Sequence, residues 1–117
     1  MIINIYKVVS VNKVILIGNV GADPEIRFPE PNRPIASLSL ATSERRGSSQ
    51  SEVTQWHSLV LFGHLAEVAE RYIRKGTKLY VEGRLTYRDY EDQFKVRRKK
   101  TEIIVENIEL LGRNTAQ

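Results

Sequence analysis

Only one stretch of this chain repeats its apolar residues at the period of an α-helix. In HLAEVAERYIRKG, residues 64–76, Leu65, Val68, Ala69, Tyr72 and Ile73 fall at i, i+3, i+4, i+7 and i+8, the spacing of one apolar stripe. Gly63 and Gly76 bracket the segment, and Arg74-Lys75 suit the negative end of its dipole. Elsewhere the pattern is β or turn. Val11 to Ile17 is a β-rich run ending at Gly18-Asn19, with Gly21 following, which predicts a bend or bulge. Ile26 to Phe28 reads as short and extended, and PEPNRP after it as a loop. Ile35 to Leu40 alternates Ile35, Ser37 and Ser39 against Ala36, Leu38 and Leu40. Residues 44–52, ERRGSSQSE, have no period and predict a mobile loop. VTQWHSLVLFG, residues 53–63, is a strand. Lys78 to Tyr90 and Phe94 to Leu111 are two long strands joined by a polar turn at Glu91-Asp92-Gln93.

Short antiparallel strands with one helix inserted after the third predict an all-β chain with a single helix. The strands close into a small five-stranded barrel and the helix plugs one end, as in an oligonucleotide/oligosaccharide-binding (OB) fold, which binds through one strand face and its loops. An SH3-like barrel or a small sandwich fits the same pattern. At 117 residues the chain is one domain with room for a small core. The absence of cysteine excludes disulfides, thiolate zinc sites and thiol nucleophiles. The apolar start MIINIYKVVS is short and interrupted by Asn4 and Lys7. It reads as an N-terminal extension or extra strand over 1–10 rather than a signal peptide or membrane span.

The segment 53–63 raises the functional question. One side carries Val53, Gln55, His57, Leu59 and Leu61. The other carries Thr54, Trp56, Ser58, Val60 and Phe62, including the only tryptophan. Leu59 and Leu61 already supply a core, and Thr54 and Ser58 suit a wet face. Trp56 and Phe62 therefore read as exposed rings about 20 Å apart at ~3.3 Å per residue. On the next long strand Tyr80, Arg84, Arg88 and Tyr90 share one parity, with Tyr87 on the other. The net charge is +4, yet KVRRKK at 95–100 holds five cations, and the rest of the chain sums to −1. Rings interleaved with cations are what unpaired nucleic acid needs, because bases stack without sequence preference and Lys or Arg neutralises phosphate. Burial of the rings between subunits, in a protein-interaction barrel, is the competing reading. Carboxylates such as Asp23, Glu25 and Glu82 are scattered, and no nucleophile–base set or metal-ligand spacing emerges, so neither an enzyme nor a cofactor is expected.

NKVILIGNVGADPEIRF, IASLSLATSE, QWHSLVLFGHLAEVAERYIRKG, KLYVEGRLTYRDY and TEIIVENIELL together resemble the bacterial single-stranded DNA-binding protein family (SSB), across about Val11 to Leu111. The resemblance implies an OB domain over 11–112 that assembles as a homotetramer. It implies sequence-independent binding of single-stranded DNA in replication, recombination and repair, in the bacterial cytoplasm with the nucleoid, without catalysis or membrane contact. Trp56 and Phe62 match family stacking positions, and Tyr90 stands where a Trp is frequent. Arg46 replaces a further stacking ring with a cation. Phosphate contacts carry over to Lys13, Arg27, Lys75 and Arg88, and Arg84, Arg97 and Arg98 join them on charge and parity. Ser58 and Asp89 stand where basic residues are common, and KVRRKK is expected to compensate. His57, a packing residue by parity, and Tyr80 are assigned to the subunit contact. The family usually continues into a flexible tail with an acidic, partner-recruiting tip. Here 113–117 read as a short remnant without that tip, so tail-mediated partners are not expected. A primosome-accessory or RNA-binding module on the same barrel is the alternative.

Overall fold

A computed structural model of the chain describes residues 9–48 and 51–113. Most of the proposed extension at 1–10 and remnant at 113–117 lie outside the described residues. Six strands and one helix follow in the order β1 (Val14–Val20), β2 (Glu25–Glu30), β3 (Arg33–Arg46), β4 (Ser51–Phe62), α1 (His64–Tyr72), β5 (Thr77–Glu91) and β6 (Arg97–Arg113). The sheet runs β1-β5-β6-β4-β3-β2, and a further pairing of β1 with β3 closes five of the strands into a ring. β2 is a sixth strand, hairpinned onto β3 outside that ring. All neighbours are antiparallel except β4 and β6, which pair in parallel at Leu59–Ile103 and Val60–Ile104.

Closure depends on β1 serving two partners. It pairs with β5 from Val14 to Asn19 and with β3 through Asn19–Ala41 and Val20–Leu40. Gly18, expected to mark a bend or bulge, lies inside the strand, where a Cβ would come 2.2 Å from the Ala41 carbonyl oxygen. Only glycine lets the two backbones come this near. Ahead of β1, the Asn12 side chain prolongs the ladder: its amide donates to the Leu85 carbonyl and accepts the Leu85 N–H, both at 2.8 Å.

Alternation places the core. Ala36, Leu38 and Leu40 of β3, Leu59 and Leu61 of β4, and Leu79 and Val81 of β5 turn inward with Ile103 and Val105 of β6. Each such Leu or Val contributes about 1.5–3 kcal/mol on burial. The helix closes one end, but its stripe is rotated from the one its period predicts. Ala66 and Ala69 are buried and small enough to bring the helix onto the strands, whereas Tyr72 is exposed. Ile73 leaves the helix with extended backbone (φ −97°, ψ 130°), and so drops into the core where another turn would have carried it elsewhere.

Two loop expectations are corrected. The residues 44–52 are mostly ladder, since Glu44–Val53, Arg45–Glu52 and Arg46–Ser51 continue the β3–β4 pairing. The β5–β6 turn lies at 92–96 rather than 91–93, so Phe94 belongs to the turn and not to a strand. Asp92 explains the shift. Its Oδ1 accepts the N–H groups of Phe94 and Val96 at 2.9 and 3.0 Å, and its Oδ2 accepts Arg98 Nε at 2.9 Å.

Candidate nucleic-acid interface

The outward residues of β3, β4, β6 and β5 form one curved face. Strand register sets its rows: Ser39 opposite Ser58, Ser37 opposite Val60 and Ile35 opposite Phe62, and Thr86 opposite Glu102, Arg88 opposite Lys100 and Tyr90 opposite Arg98. Two clefts run along it. One, of about 390 Å³, lies among Ser37, Ser39, Ser58, Asp23, Lys100 and Glu102. The other, of about 570 Å³, lies among Arg27, Ile35, Val60, Phe62, Arg88 and Glu102. Because Glu102 lines both, they meet at its side chain.

Rings stand at the margins of this face. Trp56 is 62% exposed and Phe62 48%, so neither is sealed in the barrel of the single chain. One edge of the indole lies on Gly21, where a Cβ would come 2.4 Å from the ring. Tyr90 is 39% exposed, and the Arg88 guanidinium carbon lies over its ring, 5.7 Å from the centroid, within cation–π range.

The cations expected to meet phosphate fall into two groups. Among the described residues, Arg27, Lys75 and Arg97 have no carboxylate partner. The Lys75 backbone is fixed by its N–H, which donates to Asp23 Oδ1 at 2.8 Å. Five others are engaged: Lys13 with Glu82 at 3.5 Å, Arg84 with Glu106 at 3.5 Å, Arg88 with Glu102 at 3.1 Å, Arg98 with Asp92 at 2.9 Å, and Arg46 with Glu44. Arg27, Phe62 and Arg88 share one cleft. Lys13 and Arg84 are not among its lining residues. They pair instead with carboxylates on the stretch where β5 runs beside β1 and the upper part of β6.

That stretch has a different character. Ile15 and Ile17 of β1 are about half exposed and lie opposite Glu82 and Tyr80 of β5. The Tyr80 hydroxyl donates to Glu82. This bond is the main reason the phenol titrates above its ordinary value and the Glu82 carboxyl below its own. His57 is half-buried, with its Nε2 2.8 Å from Thr42 Oγ1. It therefore lies on the core-facing parity but beyond the closed part of the core.

Two contributors escape sequence reasoning. Gly21 supports the indole across a gap in sequence that no local pattern reports. Glu102 had a usable signal, since it alternates with Arg98 and Lys100 and thus belongs to the same face. Its burial at the junction of the clefts is visible only in three dimensions. Among the described residues no cluster of His, Asp and Glu could hold a metal ion, and no helix is long and apolar enough to cross a membrane.

The profile of the single-strand binding protein family matches residues 11–111. A single-stranded DNA-binding protein of Rhizobium meliloti (strain 1021) is 51% identical over 102 residues, covering 83% of this chain and 59% of that protein. A single-stranded DNA-binding protein of Bacteroides thetaiotaomicron is 45% identical over 114 residues, covering 91% of this chain and 71% of the relative. The chain therefore spans little more than half the length of the first relative. Among solved structures, the Plasmodium falciparum SSB complex with ssDNA superposes with a TM-score of 0.81 at 30% identity, over 90% of this chain and 98% of that one.

Proposed function

Since the chain belongs to the single-strand binding protein family, we propose that it coats single-stranded DNA irrespective of sequence and takes no catalytic part itself. The observation that carries this reading is the exposure of Trp56 and Phe62 on the outer face of β4, with Phe62 sharing one cleft with Arg27 and Arg88. Bases stack on Trp56, Phe62 and Tyr90. Arg27, Lys75, Arg88, Arg97 and Arg98 meet phosphates, with Lys13, Arg46 and Arg84 at the periphery. Stacking tolerates any base because each has a π face.

Four copies form the working unit. The half-exposed Ile15 and Ile17 beside Tyr80 favour an apolar contact between protomers on the flank away from the clefts, and His57 contributes to it. The role is protection of unpaired DNA during replication, recombination and repair, in the cytoplasm with the nucleoid. A titration of intrinsic tryptophan fluorescence with dT oligonucleotides of increasing length, paired with a solution mass, tests both parts. Quenching that saturates and a mass of four chains are expected. Emission indifferent to DNA would overturn the binding reading. Tighter binding to matched RNA than to DNA at one salt concentration would favour the RNA-binding alternative, because such a reader uses the 2′-hydroxyl.

A further inference from the structure

Glu102 is a buried carboxylate on a face proposed to receive a polyanion. It is 9% exposed and lies where the two clefts meet. A buried charge without a partner is expensive, and the register supplies the partners. Glu102 faces Thr86 on β5, two residues before Arg88, and Lys100 faces Arg88 itself. Arg88 donates through Nε at 3.1 Å to Oε1 and through Nη2 at 3.5 Å to Oε2, while Lys100 Nζ stands 3.9 Å from Oε2. The same guanidinium lies over Tyr90. Glu102, Arg88 and Tyr90 thus form a chain of contacts in which the buried member holds the exposed ones.

We propose that Glu102 is a positioning residue for single-stranded DNA: by fixing Arg88 over one side of Tyr90, it leaves the ring set for a base on its open side. The inference rests on the DNA-binding reading above. Its rival makes Glu102 only an electrostatic mask that repels phosphate and occupies Arg88 and Lys100. The two accounts differ in sign. Removing a negative charge from a polyanion site should tighten binding if the residue is a mask, and weaken binding if it is a positioner.

The test measures the affinity of the full chain for a labelled dT oligonucleotide by anisotropy, at several salt concentrations. The proteins are the parent, Glu102→Gln, Glu102→Asp and Arg88→Ala, together with Glu102→Gln in the Arg88→Ala background, and thermal melts monitor folding. Glu102→Gln is expected to weaken binding by about three- to tenfold, a part of the stacking contribution of one base. Glu102→Asp should weaken it as well, because the charge is kept but drawn back from Arg88. In the Arg88→Ala background Glu102→Gln should cost nothing or tighten binding, since nothing remains to position. Binding by Glu102→Gln that equals or exceeds the parent's, with a steeper salt dependence, overturns the proposal. So does the same loss in both backgrounds. Should Glu102→Gln not fold, Glu102→Asp decides, and parent-like binding overturns the proposal. A parent that does not bind dT defeats the DNA-binding reading itself, whereas a binding parent with a tighter Glu102→Gln defeats only this inference.

Discussion

Gly21 and Trp56 show how one missing side chain seats an exposed ring. The indole rests where any Cβ at 21 would come within 2.4 Å, so a larger residue must tilt or lift it. Trp56→Ala removes the ring outright. Loss of one stacked base is worth ~1–3 kcal/mol, so dT affinity should fall by about five- to a hundredfold, and tryptophan quenching should vanish with the only tryptophan. Gly21→Val keeps the indole but displaces it, and should weaken binding by a smaller factor while quenching persists at lower amplitude. Anisotropy and fluorescence on both variants check this pair. Equal affinity in Trp56→Ala and the parent would remove Trp56 from the site. Period-two parity along 53–63 is enough to put Trp56 and Phe62 on one face, because a strand leaves each side chain only two directions. Gly21 is not legible in that way, since its contact joins residues 35 positions apart.

The β5–β6 hairpin is the element whose shape depends most on one ionisable group. Asp92 holds the turn through three hydrogen bonds. The Val96 N–H, then Arg98 and the Phe94 N–H, hold its carboxyl below the ordinary 3.8. A depressed folded-state value means the charged form is favoured by folding. Its contribution is complete above the unfolded value and disappears as pH falls through the lower folded one. Protection of the Phe94 and Val96 amides, taken relative to their intrinsic exchange rates, should therefore be high at neutral pH and fall only in acid below the usual aspartate range. Asp92→Ala should speed exchange there by about tenfold at neutral pH, with the difference from the parent shrinking in acid and the core amides of β4 and β5 unaffected. Exchange at 94 and 96 that matches the parent would show that the turn holds without the carboxylate. Strand alternation alone extends past this turn and claims Phe94 for β6, because periodicity does not register a side chain capping its own backbone. The helix shows the same limit: its period fixes that it is a helix, but which stripe is buried depends on how closely Ala66 and Ala69 approach the strands.

For the molecule as a whole, charge pairing governs how salt acts on binding. A cation that stays on its carboxylate, as Arg88 does on Glu102, neutralises little of a nearby phosphate, so it releases few of the ions condensed on the DNA. Among the described residues, Arg27, Lys75 and Arg97 alone of the eight proposed phosphate contacts have no carboxylate partner. At about 0.7 per phosphate on a single strand, eight unencumbered contacts would give a logarithmic salt slope near ~6 per protomer, and three give ~2. Titrations across a range of salt concentrations should find the lower value. A slope near the higher one would mean the five ion pairs do not survive in solution. The closed ring itself was foreseeable from the order of strands and helix. The pairing of cations was not, because it depends on which acid faces which base across the sheet.

Ring closure through the parallel seam of β4 and β6 also sets a schedule for synthesis. Leu59 and Val60 pair early with Leu38 and Ser37 of β3, but the other edge of β4 obtains its partners only when Ile103 and Ile104 have been made. A nascent chain that has completed the helix therefore still carries a bare β4 edge, beside the exposed rings of Trp56 and Phe62. Non-local pairing of this kind slows folding and prolongs exposure of sticky edges. On the ribosome, any release of the chain before residue 103 leaves a species that is open along one side and inclined to self-association.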